Sequence, residues 1–170
     1  MIAVALPLVA ALAGHKSVAL SVSVPWAIIR MAELQAELLL TERFSLALQG
    51  AVGEPIVDRT RASDLPMFTW GTGLQLRGWF YGSTDDGGAY AGAAGHFTRS
   101  VESRTSLLVQ ILGAGGIVGY KWAWRAGPFV DLNLGAGYGY YAAESDTEGA
   151  EDGTRHSVYP FVNLNVGWAF

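Results

Sequence analysis

Apolar and polar residues alternate with a period of two along most of this chain, the spacing that gives a strand one face of each kind. Val18, Leu20, Val22, Val24, Trp26 and Ile28 alternate with Ala19, Ser21, Ser23 and Ala27, which predicts a first strand over 18–28. A second, over 32–40, sets Leu34, Ala36, Leu38 and Leu40 against Glu33, Gln35 and Glu37. The third (44–53) opposes Phe44, Leu46, Leu48 and Val52 to Ser45, Ala47 and Gln49. The fourth (68–81) opposes Phe68, Trp70, Leu74, Leu76 and Phe80 to Thr69, Gly71, Gly73, Gln75 and Arg77. A fifth (89–99) is rich in small residues, and a sixth (107–124) loses phase at "GAGG", where a bulge is expected. The seventh (128–143) turns Val130, Leu132, Leu134, Tyr138 and Tyr140 away from Asp131, Asn133 and three glycines. The last alternation is Val158, Pro160, Val162, Leu164, Val166, Trp168, Phe170.

Eight strands are an even number, and several are long enough to cross a bilayer at a tilt. The connections differ in kind. "TER" and "RAG" are tight turns and "GSTDDGG" is a turn, whereas "EPIVDRTRASDLP" and "ESDTEGAEDGTRH" are long and polar. Short turns at one rim and long loops at the other is the outer-membrane pattern, with both termini at the periplasmic rim. The expected fold is therefore all-β: an eight-stranded antiparallel up-and-down transmembrane β-barrel over residues 14–170.

Composition decides which face is inside. Apolar residues are 51% and charged ones 15%, below the roughly 25% of a soluble domain. The polar faces carry Glu, Gln, Asn, Ser, Thr and Gly and almost no Lys, unlike a solvated sheet face. Eight strands leave room inside only for side chains, so small and glycine positions suit the lumen and large residues the outside. No run of about 20 apolar residues offers a membrane helix. A net charge of −4 without a basic stripe excludes nucleic acid, and the absence of Cys excludes disulfides and thiol chemistry. Residues 1–13 read as a signal-type apolar segment ending in Ala11-Leu12-Ala13, although no Lys or Arg precedes it.

Two constellations follow from the strand phases. Glu37, Arg77, Lys121 and Asp131 all fall on lumen positions near the short-turn rim, which predicts a buried ion network that plugs the barrel. Trp26 and Trp70 toward the long-loop rim, and Phe80, Trp122, Trp124 and Trp168 toward the other, read as interfacial girdles.

The segments around "RFSL" (Arg43–Leu46), Gly73, Arg77, Trp79 and Phe80, and "GYKW" (Gly119–Trp122) with Gly127, Asp131, Gly135, Gly137 and Tyr138 resemble a family of small bacterial outer-membrane β-barrel domains of unknown function, OmpA/OmpX/OmpW-like in size. The resemblance covers nearly the whole chain after its N-terminal segment. It implies an eight-stranded barrel and no established activity. Val166, Trp168 and Phe170 also look like the terminal-strand signal read by the barrel-assembly machinery.

No residue set argues for a cofactor or metal: His15, His96 and His156 lie on separate segments without ligand spacing. "GAGG" and "GAGYG" are followed by no helix, so neither is a phosphate loop. The acidic stretch 144–152 lacks the spaced ligands of a calcium loop. "HFT" at 96–98 echoes the His and hydroxyl spacing of a lipid A deacylase, but His96 falls on the lumen phase with no acid assigned. The expectation is a non-enzymatic, monomeric barrel in the cell outer membrane. Its partners are membrane lipids and the assembly machinery, and its structural or surface-interaction role is carried by the loops 54–67 and 144–156. The alternatives are a barrel that binds or passes a small apolar molecule and a lipid-modifying enzyme acting through His96.

Overall fold

The computed structural model describes residues 18–28, 30–54, 67–102, 108–144 and 153–170. The segment 1–13, His15 and most of the two long loops lie outside them. Eight antiparallel strands close in sequence order into a barrel: β1 Val18–Ser23, β2 Met31–Leu39, β3 Phe44–Gly53, β4 Met67–Ser83, β5 Gly87–Glu102, β6 Leu108–Ala123, β7 Pro128–Glu144 and β8 Gly153–Ala169. β1 pairs with β8, so the sheet has no free edge where the two overlap.

The register gives the geometry. From Val166 on β8 the pairing passes through Val22, Leu34, Gly50, Thr72, Phe97, Leu112 and Tyr140 and returns to β8 at His156. One circuit therefore climbs ten residues (166 − 156). With a rise of about 3.3 Å per residue and about 4.8 Å between strands, that stagger tilts the strands by about 40° and gives a wall radius of about 8 Å. Such a lumen holds side chains and little else.

Three features differ from the sequence expectation. The first strand ends at Ser23, and Val24–Ile28 form a short helix, α1. Pro25 is the cause: it has no N–H to give a strand ladder, but it fits the first turn of a helix. Arg30, at φ 64°, then turns the chain into β2. The register runs unbroken through Gly113–Gly116, and the irregularity lies instead between Trp79 and Tyr81 on β4. Finally, the lumen is not reserved for small residues. Trp79, Tyr90 and Phe129 are buried there, and Tyr159 and Phe161 share their strand phase.

The glycines explain how such rings fit. Tyr90 is paired across strands with Gly119, Phe129 with Gly167, Tyr159 with Gly137 and Phe161 with Gly135. Each ring lies over a backbone that has no side chain. A Cβ on Gly135 would run into the Phe161 ring and the Gly116 carbonyl, and one on Gly119 into the Tyr90 ring. The outer face is the reverse of a soluble surface: Leu48, Leu74, Leu112, Leu134, Val158, Val162 and Val166 are all exposed.

The wall is uneven. β1 has only six residues, and above the Ser23–Asn165 pair no described strand lies along the other edge of β8, which continues to Gly153. Helix α1 packs against β2 and β8 at the foot of this notch. Phe170 donates its N–H to Val18 on β1 and Ala169 its N–H to Gly127 beside β7, so even-numbered residues of β8 point their amides toward the β1 side. Pro160 belongs to that set and has no N–H to leave unpaired.

The ring-over-glycine packing predicts a contrast. Gly135→Ala should lower folding stability in detergent by about 1–3 kcal/mol, because an overpacked site must shift its neighbours. Gly50→Ala, where an added Cβ meets nothing within 4 Å, should stay within about 0.5 kcal/mol. Equal urea midpoints for the two variants would refute the packing account.

Candidate functional site

Glu37 on β2, Arg77 on β4, Lys121 on β6 and Asp131 on β7 come together in the lumen, all at most 2% exposed. Even-numbered strands supply three of them, and register and tilt bring all four within about 4 Å of one level along the axis. Two acids face two bases, so the layer is electrically neutral. The Arg77 guanidinium is its centre. Nη1 donates to Asp131 Oδ2 at 2.9 Å and reaches Glu37 Oε1 at 3.4 Å, while Nε and Nη2 donate to Gln75 Oε1 at 3.0 and 2.7 Å. Lys121 Nζ donates to Glu37 Oε2 at 2.5 Å.

Neutral groups complete the coordination. The Tyr90 hydroxyl donates to Asp131 Oδ1 at 2.7 Å and the Ser45 hydroxyl to Glu37 Oε1 at 2.6 Å. The Arg77 guanidinium carbon lies 4.7 Å from the Tyr90 ring centre, and Lys121 Nζ lies 4.4 Å from that of Phe129 and 5.7 Å from that of Trp79. Aromatic faces thus cover both cations beside their hydrogen-bond partners. Sequence phase points to the four charges. The same phase puts Trp79 beside Arg77 and Phe129 beside Asp131, but large residues are expected on the outer face; the facing glycines of Tyr90 and Phe129 are visible only once the register is known.

Above this floor the polar contacts thin out. Gln49 donates to Gln35 at 2.9 Å, Asn163 to Glu33 at 3.2 Å and Ser23 to Asn163 at 2.7 Å. The side-chain amides of Asn133 and Asn165 and the Ser21 hydroxyl are buried without a protein partner. The layer of Arg77, Lys121, Trp79, Tyr90 and Phe129, none more than 4% exposed, closes the lumen below them.

Five of the six girdle candidates are exposed on the outer face. Trp70 lies near the top of β4; Phe80, Trp122, Trp124 and Trp168 lie near the short turns. Trp26 stands half-buried on α1 at the foot of the notch, rather than on a strand at the long-loop rim. Register and tilt separate Trp70 from Trp122 by about 24 Å along the axis, close to the height of an outer-membrane apolar band. Val166, Trp168 and Phe170 all point outward from the closing strand.

His96 faces the lumen, and the Tyr159 hydroxyl lies 3.2 and 3.4 Å from its two ring nitrogens. Phe97 turns the other way and packs on Trp70 with ring centres 5.5 Å apart. His156 sits outside, between Tyr138 and Tyr140. Among the described residues no group of three His, Cys, Asp or Glu could hold a metal ion. The chain matches no family model, no curated protein and no solved structure.

A neutral, fully coordinated layer makes its members interdependent. Glu37→Gln should cost about 3–5 kcal/mol, because it strands the Lys121 charge in the lumen. Combining it with Lys121→Met should restore most of that loss. A double-mutant cycle in detergent checks this, and strictly additive effects would refute the coupling.

Proposed function

We propose that this chain is a non-enzymatic outer-membrane β-barrel, closed at its periplasmic end and acting through the loops and upper wall at its long-loop rim. The observation that carries this reading is its inverted polarity. Charges and amides are buried in the lumen, whereas large apolar residues are exposed around the outside. Hydrocarbon accepts that outer face and water does not. The girdle spacing, the closed β1–β8 seam and the resemblance to small outer-membrane barrel domains support the same reading. On this reading the barrel-assembly machinery meets the outward face of Val166, Trp168 and Phe170 on β8, and the folded barrel works as a monomer. His96, held by Tyr159 inside the lumen, has no access to lipid and no catalytic role.

Placement in a bilayer has a depth signature. Leu48→Arg, at mid-height on the outer face, should cost about 2–4 kcal/mol in liposome-refolded protein, whereas Leu112→Arg, level with Trp70, should cost at most about 1 kcal/mol. For a soluble barrel both are surface changes of about 0.5 kcal/mol or less. Equal small effects, with a protein that stays in solution without detergent, would end the membrane reading.

One observation favours a second function for the same barrel, the binding or passage of a small apolar molecule. The notch between β8 and β2 lies at the height of the apolar band, with exposed Val158, Val162, Leu34 and Ile28 at its mouth. A bulky thiol-reactive label on a Pro160→Cys variant should then slow uptake of a fluorescent fatty-acid analogue by liposomes carrying the barrel. Uptake no faster than in protein-free liposomes would dispose of this role.

A further inference from the structure

A groove of about 480 Å³ lies on the outer wall at the short-turn rim, lined by Tyr81, Asp86, Tyr120, Trp122 and Trp124 together with backbone of β5 and β6. Its aromatics come from two separate causes. On β6, strand alternation turns Tyr120 and Trp122 outward, with their rings 4.7 Å apart, and exposed Trp124 follows one residue past the strand end. On β4, the irregularity between Trp79 and Tyr81 breaks the alternation, so that consecutive Phe80 and Tyr81 are both exposed, at 67% and 65%. Without that break Tyr81 would follow Trp79 into the lumen.

Asp86 adds the one charge among these lining side chains, since the Lys121 side chain points into the lumen. Its carboxylate is exposed and held in place by the turn: its own N–H donates to the Ser83 hydroxyl at 3.1 Å, and that hydroxyl lies 3.4 Å from Oδ2. Aromatic faces with one carboxylate form the arrangement that recognises an ammonium group, by cation–π attraction and a charge-assisted hydrogen bond. The groove also has a direction. Tyr120 lies about 10 Å further from the rim than Trp124 along the axis, and exposed Val118 continues the line. An occupant is therefore offered a polar end beside Asp86 and an apolar path up the wall.

We infer that this groove is a binding site for a phospholipid with a primary-ammonium headgroup: the ammonium sits among Tyr81, Trp122, Trp124 and Asp86, and an acyl chain lies along Tyr120 and Val118. The inference rests on the membrane reading above and goes beyond it, because a girdle alone has no headgroup preference. A glycerol headgroup offers Asp86 hydroxyl donors but no cation for the aromatic faces, and leaves its phosphate charge uncompensated.

The test is native mass spectrometry of the full chain released from mixed micelles with equal phosphatidylethanolamine and phosphatidylglycerol. Folding of every sample is checked by its heat-dependent gel mobility. The unaltered chain should retain the ethanolamine lipid over the glycerol lipid by about five-fold or more, and Asp86→Asn and Trp124→Leu should each bring the ratio within about two-fold. The side-chain amide introduced by Asp86→Asn can still accept from the Ser83 hydroxyl, so the turn is expected to survive. A folded, inserted chain with no preference, or a preference that persists in both variants, overturns the site and leaves the membrane reading standing. Failure to insert into lipid of any composition overturns both.

Discussion

Everything in this barrel is arranged around the cost of holding four charges in a lumen of about 8 Å radius. An isolated buried ion is destabilising by several kcal/mol, and no single pair satisfies the valences of a guanidinium. The solution draws on four strands, β2, β4, β6 and β7. Arg77 on β4 bridges acids on β2 and β7, while Lys121 on β6 takes the second oxygen of Glu37. These contacts cross the lumen rather than following the sheet. They tie opposite walls together at one level, which backbone pairing between neighbours cannot do. The consequence of the layer is a lumen filled at its level, where Arg77, Lys121, Trp79, Tyr90 and Phe129 are all buried.

The glycines are the other half of that constraint. A neutral layer still needs its cations covered, and Tyr90, Phe129 and Trp79 provide the cover. Tyr90 fits because it faces Gly119 on β6, and Phe129 because it faces Gly167 on β8. These two glycines are therefore part of the ion site, although neither carries a charge. This links composition to chemistry: the same residues that lower the polarity of the chain make room for its most polar cluster.

Strand number, order, the lumen phase of Glu37, Arg77, Lys121 and Asp131, and most strand limits were legible in the sequence because period-two alternation is a local signal. What was not legible depends on pairing. The ring-over-glycine partners need the register, which the chain states only through which residues end up opposite one another. Trp26 shows a different failure. Val24, Trp26 and Ile28 continue the alternation of β1, and Pro25 between them forbids the strand. Periodicity and proline chemistry disagreed there, and proline prevailed. The bulge shows a third: glycine pairs suggested it in β6, but the steric demand lay on β4, where Trp79 must turn in and Tyr81 out.

These departures from regularity fall on opposite sides of the ion layer, and that placement orders the molecule. Below the layer, the β4 irregularity spreads aromatics over the outer wall beside Asp86. Above it, the early end of β1 lowers the wall and leaves one edge of β8 with no described strand beside it, which Pro160 relieves of a donor. A uniform eight-stranded barrel would have neither feature. The charges of the layer between them depend on one another. On the proposed membrane reading the two ends have separate roles: the lower one meets lipid headgroups, the upper one whatever its notch and loops receive.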